Sequence, residues 1–291
     1  MWFRRRAAEF SDGVIDLIPL DLYPPDEAMG FGRNYDYMIV EHGQRKEAGR
    51  INLRLGESEC MYYFGHIGYH VDPPFRGHGY ARRACALLRP LILLHGNGES
   101  SAIFDAAIPR LSEHFTVYAI DSRGHGQSSP VGEYHYADMA QDVADFIRLL
   151  GLDRPIVYGF SDGGILALLL AIRQPDMIGG IIGSGVNVRP DGLKRRWLWQ
   201  MRLQNRFRPD PLLRLMLTEP DITDGELRSI RCPALITAGS RDMLREKHMR
   251  HIAEAIPGGK YLLLPGEDHG SYIVHSRKIA EIILAETESW I

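Results

Sequence analysis

Cysteine is scarce: Cys60, Cys85 and Cys232 are the three in 291 residues, an odd number with no Cys-x-x-Cys spacing. That argues against a disulfide framework or a zinc ribbon and fits a reducing compartment, so free thiols and a cytoplasmic location are expected. No sign of charge dominates, and a net charge of -3 gives no reason to expect a nucleic acid as partner. The one dense basic stretch, residues 194–214, is interrupted by Trp197, Leu198, Trp199, Met201 and Leu203 and reads as an amphipathic helix. Long apolar runs are missing too. The longest, residues 165–172, is far too short to span a bilayer, so no membrane partner is expected. The basic start MWFRRRAAEF has no apolar stretch after it and makes a poor secretory signal. Internal repeats and low-complexity segments are absent, as is any metal-ligating cluster.

What is present is an ordinary supply of core-forming residues, 45% hydrophobic, arranged in two different rhythms. Residues 13–18, 35–41 and 50–55 are short strand-like runs separated by turn formers, and GHIGYHV from Gly65 adds a fourth. A helix opening at Gly77 or His78 is ended by Pro90. From Leu91 the order becomes strand, helix, strand, helix, with strands at LILL, FTVYAID, PIVYGF, IGGIIGSGV, PALITAG and KYLLLPG. Between them lie helical patterns such as residues 139–150, apolar at Val143, Phe146, Ile147 and Leu150. Such alternation predicts a parallel sheet covered on both faces, with its working groups at the carboxyl ends of the strands.

The strongest local signal is Gly159-Phe160-Ser161-Asp162-Gly163-Gly164, directly after the strand PIVY and directly before the apolar helix ILALLLAI. A serine on such a turn is thrust above the sheet, and glycines surround it because side chains there would collide. The alternative is a serine that merely caps the helix. A serine hydroxyl is a weak nucleophile, so a base must take its proton and a carboxylate must orient that base. His269 follows the last strand and Asp242 the strand before it, which brings Ser161, Asp242 and His269 to one edge of the sheet. Asp191 is the alternative acid, whereas Asp268 is adjacent to the base and poorly placed to orient it.

Attack on a carbonyl builds charge on oxygen, and two backbone N–H groups should receive it, from Asp162 and, in the loop His95-Gly96-Asn97-Gly98, from Asn97. His95 is expected to hold that loop, and the glycine turn DSRGHGQS to shape the site without doing chemistry. Asp162 carries two readings. It is either a carboxylate favoured at a helix start or a substrate-binding residue that pairs with a cationic amine. Arg202 or Arg206 would instead favour an anionic substrate.

Residues 91–291 resemble the α/β-hydrolase superfamily. His95-Gly96, DSRGHGQSS, GFSDGG, AGSRDM and EDHG occur in the family's order. The resemblance implies an α/β fold with a mostly parallel sheet and a small helical lid over about residues 188–227. It departs at the start, where the two antiparallel strands that usually precede LILLHG are absent as such. Residues 10–89 resemble the GNAT acetyltransferases through AGRINLRL, GHIGYHVDPPFRGHGYARRAC and the Arg76-x-x-Gly79-x-Ala81 turn. That resemblance implies a partial α+β segment in which the backbone of residues 71–81, including Val71, Arg76, Gly77, Gly79 and Ala81, would hold acetyl-coenzyme A. The family fold continues past this helix, but here the next strand is LILL, which must present His95-Gly96 to the hydrolase site. The chain thus divides into a truncated acetyltransferase-like segment, 1–89, and a hydrolase, 90–291, with the front strands covering apolar surface in place of the missing ones.

The expected activity is hydrolysis of a small ester, thioester or amide through an acyl-enzyme, with no cofactor required. Acetyl-coenzyme A binding by the front, and a binding protein on a hydrolase scaffold without catalysis, are the alternatives.

Overall fold

The computed structural model describes residues 10–23, 34–44, 46–54, 67–87 and 89–290. The front forms an antiparallel sheet of β1 (Phe10–Ser11), β2 (Ile15–Tyr23), β3 (Asn34–Glu41), β4 (Glu47–Arg54) and β5 (Ile67–Val71), paired in chain order. Alternation explains it. Ile15 and Leu17 of β2, Tyr37 and Ile39 of β3 and Ile51 of β4 turn to one face and are buried there. Helix α1 (Tyr80–Leu87) covers that face with Tyr80 and Ala84, and Arg83 ties the helix to Asp12 at 2.7 Å. The strands anticipated from sequence are all here, although β2 runs on to Tyr23, and Gly65, where the fourth was expected to open, lies outside the described residues.

The rear sheet has six parallel strands: β6 (Pro90–Leu94), β7 (Thr116–Ile120), β8 (Ile156–Phe160), β9 (Gly180–Ser184), β10 (Ala234–Gly239) and β11 (Lys260–Leu264). Their order is β11-β10-β9-β8-β6-β7. Successive side chains fill two cores. Ile92, Leu94 and Val157 pack against α3 (Tyr136–Leu150), α4 (Asp162–Arg173) and α8 (Glu246–Ala255), while Leu91, Leu93, Ile156 and Tyr158 face α2 (Ile108–Leu111) and α9 (Lys278–Thr287). Helix α3 begins at Tyr136, three residues before the apolar pattern does, because its first turn is held from outside by Glu219. Leu150, which the apolar pattern places on the buried face, is exposed beside the left-handed Gly151 that ends the helix.

The two sheets stay separate. Among the described residues no front strand pairs with the edge strand β7. Cys85 and Cys232 are free thiols, and Cys60 falls outside the described residues.

The strand order positions the site. From β6 the chain moves outward to β7 and then returns to β8 on the other side of β6, so the loops leaving β6 and β8 diverge. A parallel sheet opens a crevice at such a switch point. The loop after β6 carries His95 to Gly98, and the turn after β8 carries Ser161.

Candidate active site

Ser161 sits between β8 and α4 with φ of 51° and ψ of -112°, a region that non-glycine residues seldom occupy. The turn is so tight because its neighbours allow it: a Cβ on Gly163 would land on the Leu94 carbonyl. The Ser161 N–H donates to Ser184 of β9 at 2.8 Å and the Gly163 N–H to His95 at 3.1 Å, locking the turn between the ends of β9 and β6, the two strands that flank β8.

A continuous hydrogen-bond chain leads away from the hydroxyl. His269 Nε2 stands 3.1 Å from Ser161 Oγ, and His269 Nδ1 stands 2.8 Å from Asp242 Oδ1. The Asp242 side chain is 1% exposed, and its Oδ1 also accepts the Leu244 N–H at 2.9 Å, which fixes the carboxylate plane. Lys194, ahead of the lid helices, donates to the Asp242 carbonyl. Asp191, the alternative acid, is excluded by its position: it is exposed and faces Arg189 and Arg245. Asp268 accepts the N–H groups of Gly270 and Ser271 and so shapes the turn that holds His269.

Gly185 makes room for the imidazole. It has φ of 58°, and a Cβ there would lie 2.7 Å from His269 Cε1. Gly185→Ala is expected to push the ring off Ser161 and to slow any reaction that uses His269 as its base about 100-fold, the scale of a 1 Å misplacement. Steady-state kinetics checks this, with circular dichroism showing that the fold persists.

The backbone N–H groups of Asn97 and Asp162 find no acceptor among the described residues. Two histidines brace their loop. His95 Nε2 accepts the Ser122 N–H at 3.0 Å and its Nδ1 pairs with the Gly96 carbonyl, while burial pushes its pKa down. His125 Nε2 accepts the Gly98 N–H at 3.1 Å. The turn DSRGHGQS is thus a support for this loop, since it supplies both Ser122 and His125.

Asp162 is not a solvated helix-start acid: the residue is 4% exposed, and it borders the small space over Ser161. Oδ2 accepts from Asn97 Nδ2 at 2.9 Å and Oδ1 from the Tyr136 hydroxyl at 2.8 Å, and burial raises its pKa. Glu99, which the sequence did not single out, accepts the Gly96 N–H at 2.9 Å and is likewise raised by burial.

The anticipated lid contains α5 (Arg195–Phe207), α6 (Pro211–Thr218) and α7 (Asp224–Arg228). A small space of about 20 Å³ remains over Ser161, closed by Leu193, Met216, Met243 and Leu244. No arginine or lysine lines it among the described residues; Arg202 and Arg206 face solvent on α5. Val71, Arg76, Gly77, Gly79 and Ala81 gather around a different, open cavity of about 690 Å³ on the front sheet, where Arg76 Nε donates to the Val71 carbonyl at 2.9 Å. None of them touches the space over Ser161.

Residues 89–214 match the family model described as alpha/beta hydrolase fold. The front sheet lies outside that match. Over 95 residues the chain is 38% identical to a 2-(acetamidomethylene)succinate hydrolase of Mesorhizobium japonicum, covering 32% of this chain and 34% of that protein. Over 92 residues it is 36% identical to a pimeloyl-[acyl-carrier protein] methyl ester esterase of Yersinia pseudotuberculosis, covering 32% and 34%. The chain thus spans about a third of the length of these relatives. An esterase structure from Thermogutta terrifontis superposes with a TM-score of 0.58 at 21% identity, covering 69% of this chain and 90% of that one. The part of the chain that holds the six-stranded parallel sheet has the α/β-hydrolase fold.

Proposed function

Taking that fold as the premise, we propose that the protein is a serine hydrolase that cleaves a small ester, thioester or amide through an acyl-enzyme. The observation that carries this reading is the chain Ser161 Oγ, His269 Nε2, His269 Nδ1, Asp242 Oδ1 at the carboxyl ends of β8, β10 and β11. In the acylation step Ser161 Oγ attacks the carbonyl carbon while its proton passes to His269 Nε2. Asp242 holds Nδ1–H and stabilises the imidazolium that forms. The N–H groups of Asn97 and Asp162 receive the oxyanion. Collapse expels the alcohol, thiol or amine, which takes the proton from Nε2. Water then attacks the acyl group with His269 again as base and restores Ser161. No step calls for a metal or a cofactor.

The lining of the site bears on substrate class. Leu193, Met216, Met243 and Leu244 offer apolar contacts, and with no arginine or lysine lining the space among the described residues the reading favours an uncharged acyl chain over an anionic one. The test is a panel of p-nitrophenyl esters with the Ser161→Ala protein as control. Acetate and butyrate esters are expected to be turned over faster than esters longer than about eight carbons. Equal turnover by the control would remove the mechanism.

A further inference from the structure

A carboxylate buried without a cation is costly, since two neutral donors replace only part of its hydration. Asp162 is such a group, and what its two partners hold gives it a use. Asn97 Nδ2 carries two N–H bonds: one goes to Asp162 Oδ2 at 2.9 Å, and the other to the carbonyl of Leu212 in lid helix α6 at 3.3 Å. Tyr136 gives its hydroxyl to Asp162 Oδ1, and its backbone N–H goes to Glu219 Oε2 at 3.0 Å, just past the other end of α6. His135 Nδ1 holds the second oxygen of Glu219 at 2.6 Å. Helix α6 is therefore held at both ends by residues whose other hydrogen bonds converge on one carboxylate.

We propose that Asp162 is a positioning residue that joins the lid to the oxyanion loop, so that seating α6 and aligning the Asn97 and Asp162 N–H groups are a single event. A planar amide fixes the directions of its two N–H bonds, so Asn97 is fully satisfied only when Leu212 is in place. Lifting α6 removes that acceptor and leaves the Asn97 side chain held by Asp162 alone, so the loop that carries the Asn97 N–H loses one of its two fixed directions. Substrate admission opens the lid; its return over the acyl group restores the hole. The acid thereby gains a role at this site other than pairing with an amine. The proposal rests on the serine hydrolase reading for its kinetic part, and its lid part stands independently of that reading.

The test uses the full chain with Asp162→Ala, Asn97→Ala, the double variant and the milder Tyr136→Phe. Two readouts are taken: kcat and KM for p-nitrophenyl acetate, and the rate of tryptic cleavage at the lid arginines Arg202, Arg206 and Arg214. Asp162→Ala is expected to lower kcat about 10- to 100-fold with KM changed less than about threefold, because alignment is lost and not binding. Lid cleavage should speed up at least about fivefold. Asn97→Ala should do the same, and the double variant should be no worse than the poorer single variant, the signature of residues acting through one contact. Tyr136→Phe should shift both readouts in the same direction by a smaller factor, and it keeps the test decisive if Asp162→Ala does not fold. Unchanged lid cleavage in Asp162→Ala, or in Tyr136→Phe where the former is unfolded, would overturn the coupling. So would kcat losses that multiply in the double variant. Wild-type protein that takes no fluorophosphonate at Ser161 would instead defeat the hydrolase reading, and the cleavage arm would still decide the lid contact.

Discussion

Ser161→Ala is expected to lower kcat for p-nitrophenyl acetate by about a millionfold, and His269→Ala by a similar factor, because a triad works as a unit and loses nearly everything with either member. The alanine keeps the turn, since the strained backbone at φ of 51° is held by the Ser161 N–H bond to Ser184 and the Gly163 N–H bond to His95, neither of which uses the hydroxyl. Removing Oγ therefore deletes the attacking atom and leaves the scaffold. His269→Ala leaves Oγ without a base, and no other imidazole donates to or accepts from it among the described residues. The double variant should be no slower than either single one. Stopped-assay kinetics with thermal melting of each variant checks this, and a residual rate within about tenfold of wild type would contradict it.

Asp242→Asn should cost about 10,000-fold in kcat, roughly two orders less than loss of the nucleophile. Asp242 Oδ1 takes both the Leu244 N–H and His269 Nδ1, so an asparagine placed with its carbonyl there would still orient the ring. What it cannot do is offset the positive charge that appears on His269 in the transition state. It would also leave an amide N–H where Oδ2 now lies buried with no hydrogen-bond partner among the described residues, which invites the flipped amide and the wrong imidazole tautomer. KM is expected to change little, because Asp242 does not meet substrate. A kcat within about tenfold of wild type would indicate that another acid orients the base.

The elbow, the base and the acid were legible because each is local: a serine in a strand, turn and helix context, and two groups following consecutive strands. Parallel pairing then brought the strand ends together without further information. The role of Asp162 was not legible. Its partners lie 65 and 26 residues away, and their approach is set by where β6 and β8 meet and where the lid descends. A carboxylate at a helix start looks the same in sequence whether solvent or an asparagine faces it. Glu219 capping α3 from 83 residues away was hidden for the same reason, and so was the earlier start of that helix. In the front, the alternation of Ile15, Leu17, Tyr37 and Ile39 announced the strands. The separateness of the two sheets depends on edge pairing, which alternation does not encode.

The central claim is that Ser161 is the activated nucleophile of a hydrolase, and covalent labelling reads that directly. Purified protein is incubated with a fluorophosphonate, its intact mass is measured and the adduct is located by peptide mapping. The account predicts one adduct per chain on Ser161, none on the Ser161→Ala protein, and labelling at least about 1,000-fold slower in His269→Ala, since the hydroxyl then lacks its base. No adduct on the wild-type protein, or equal labelling of the Ser161→Ala protein at another residue, would contradict it.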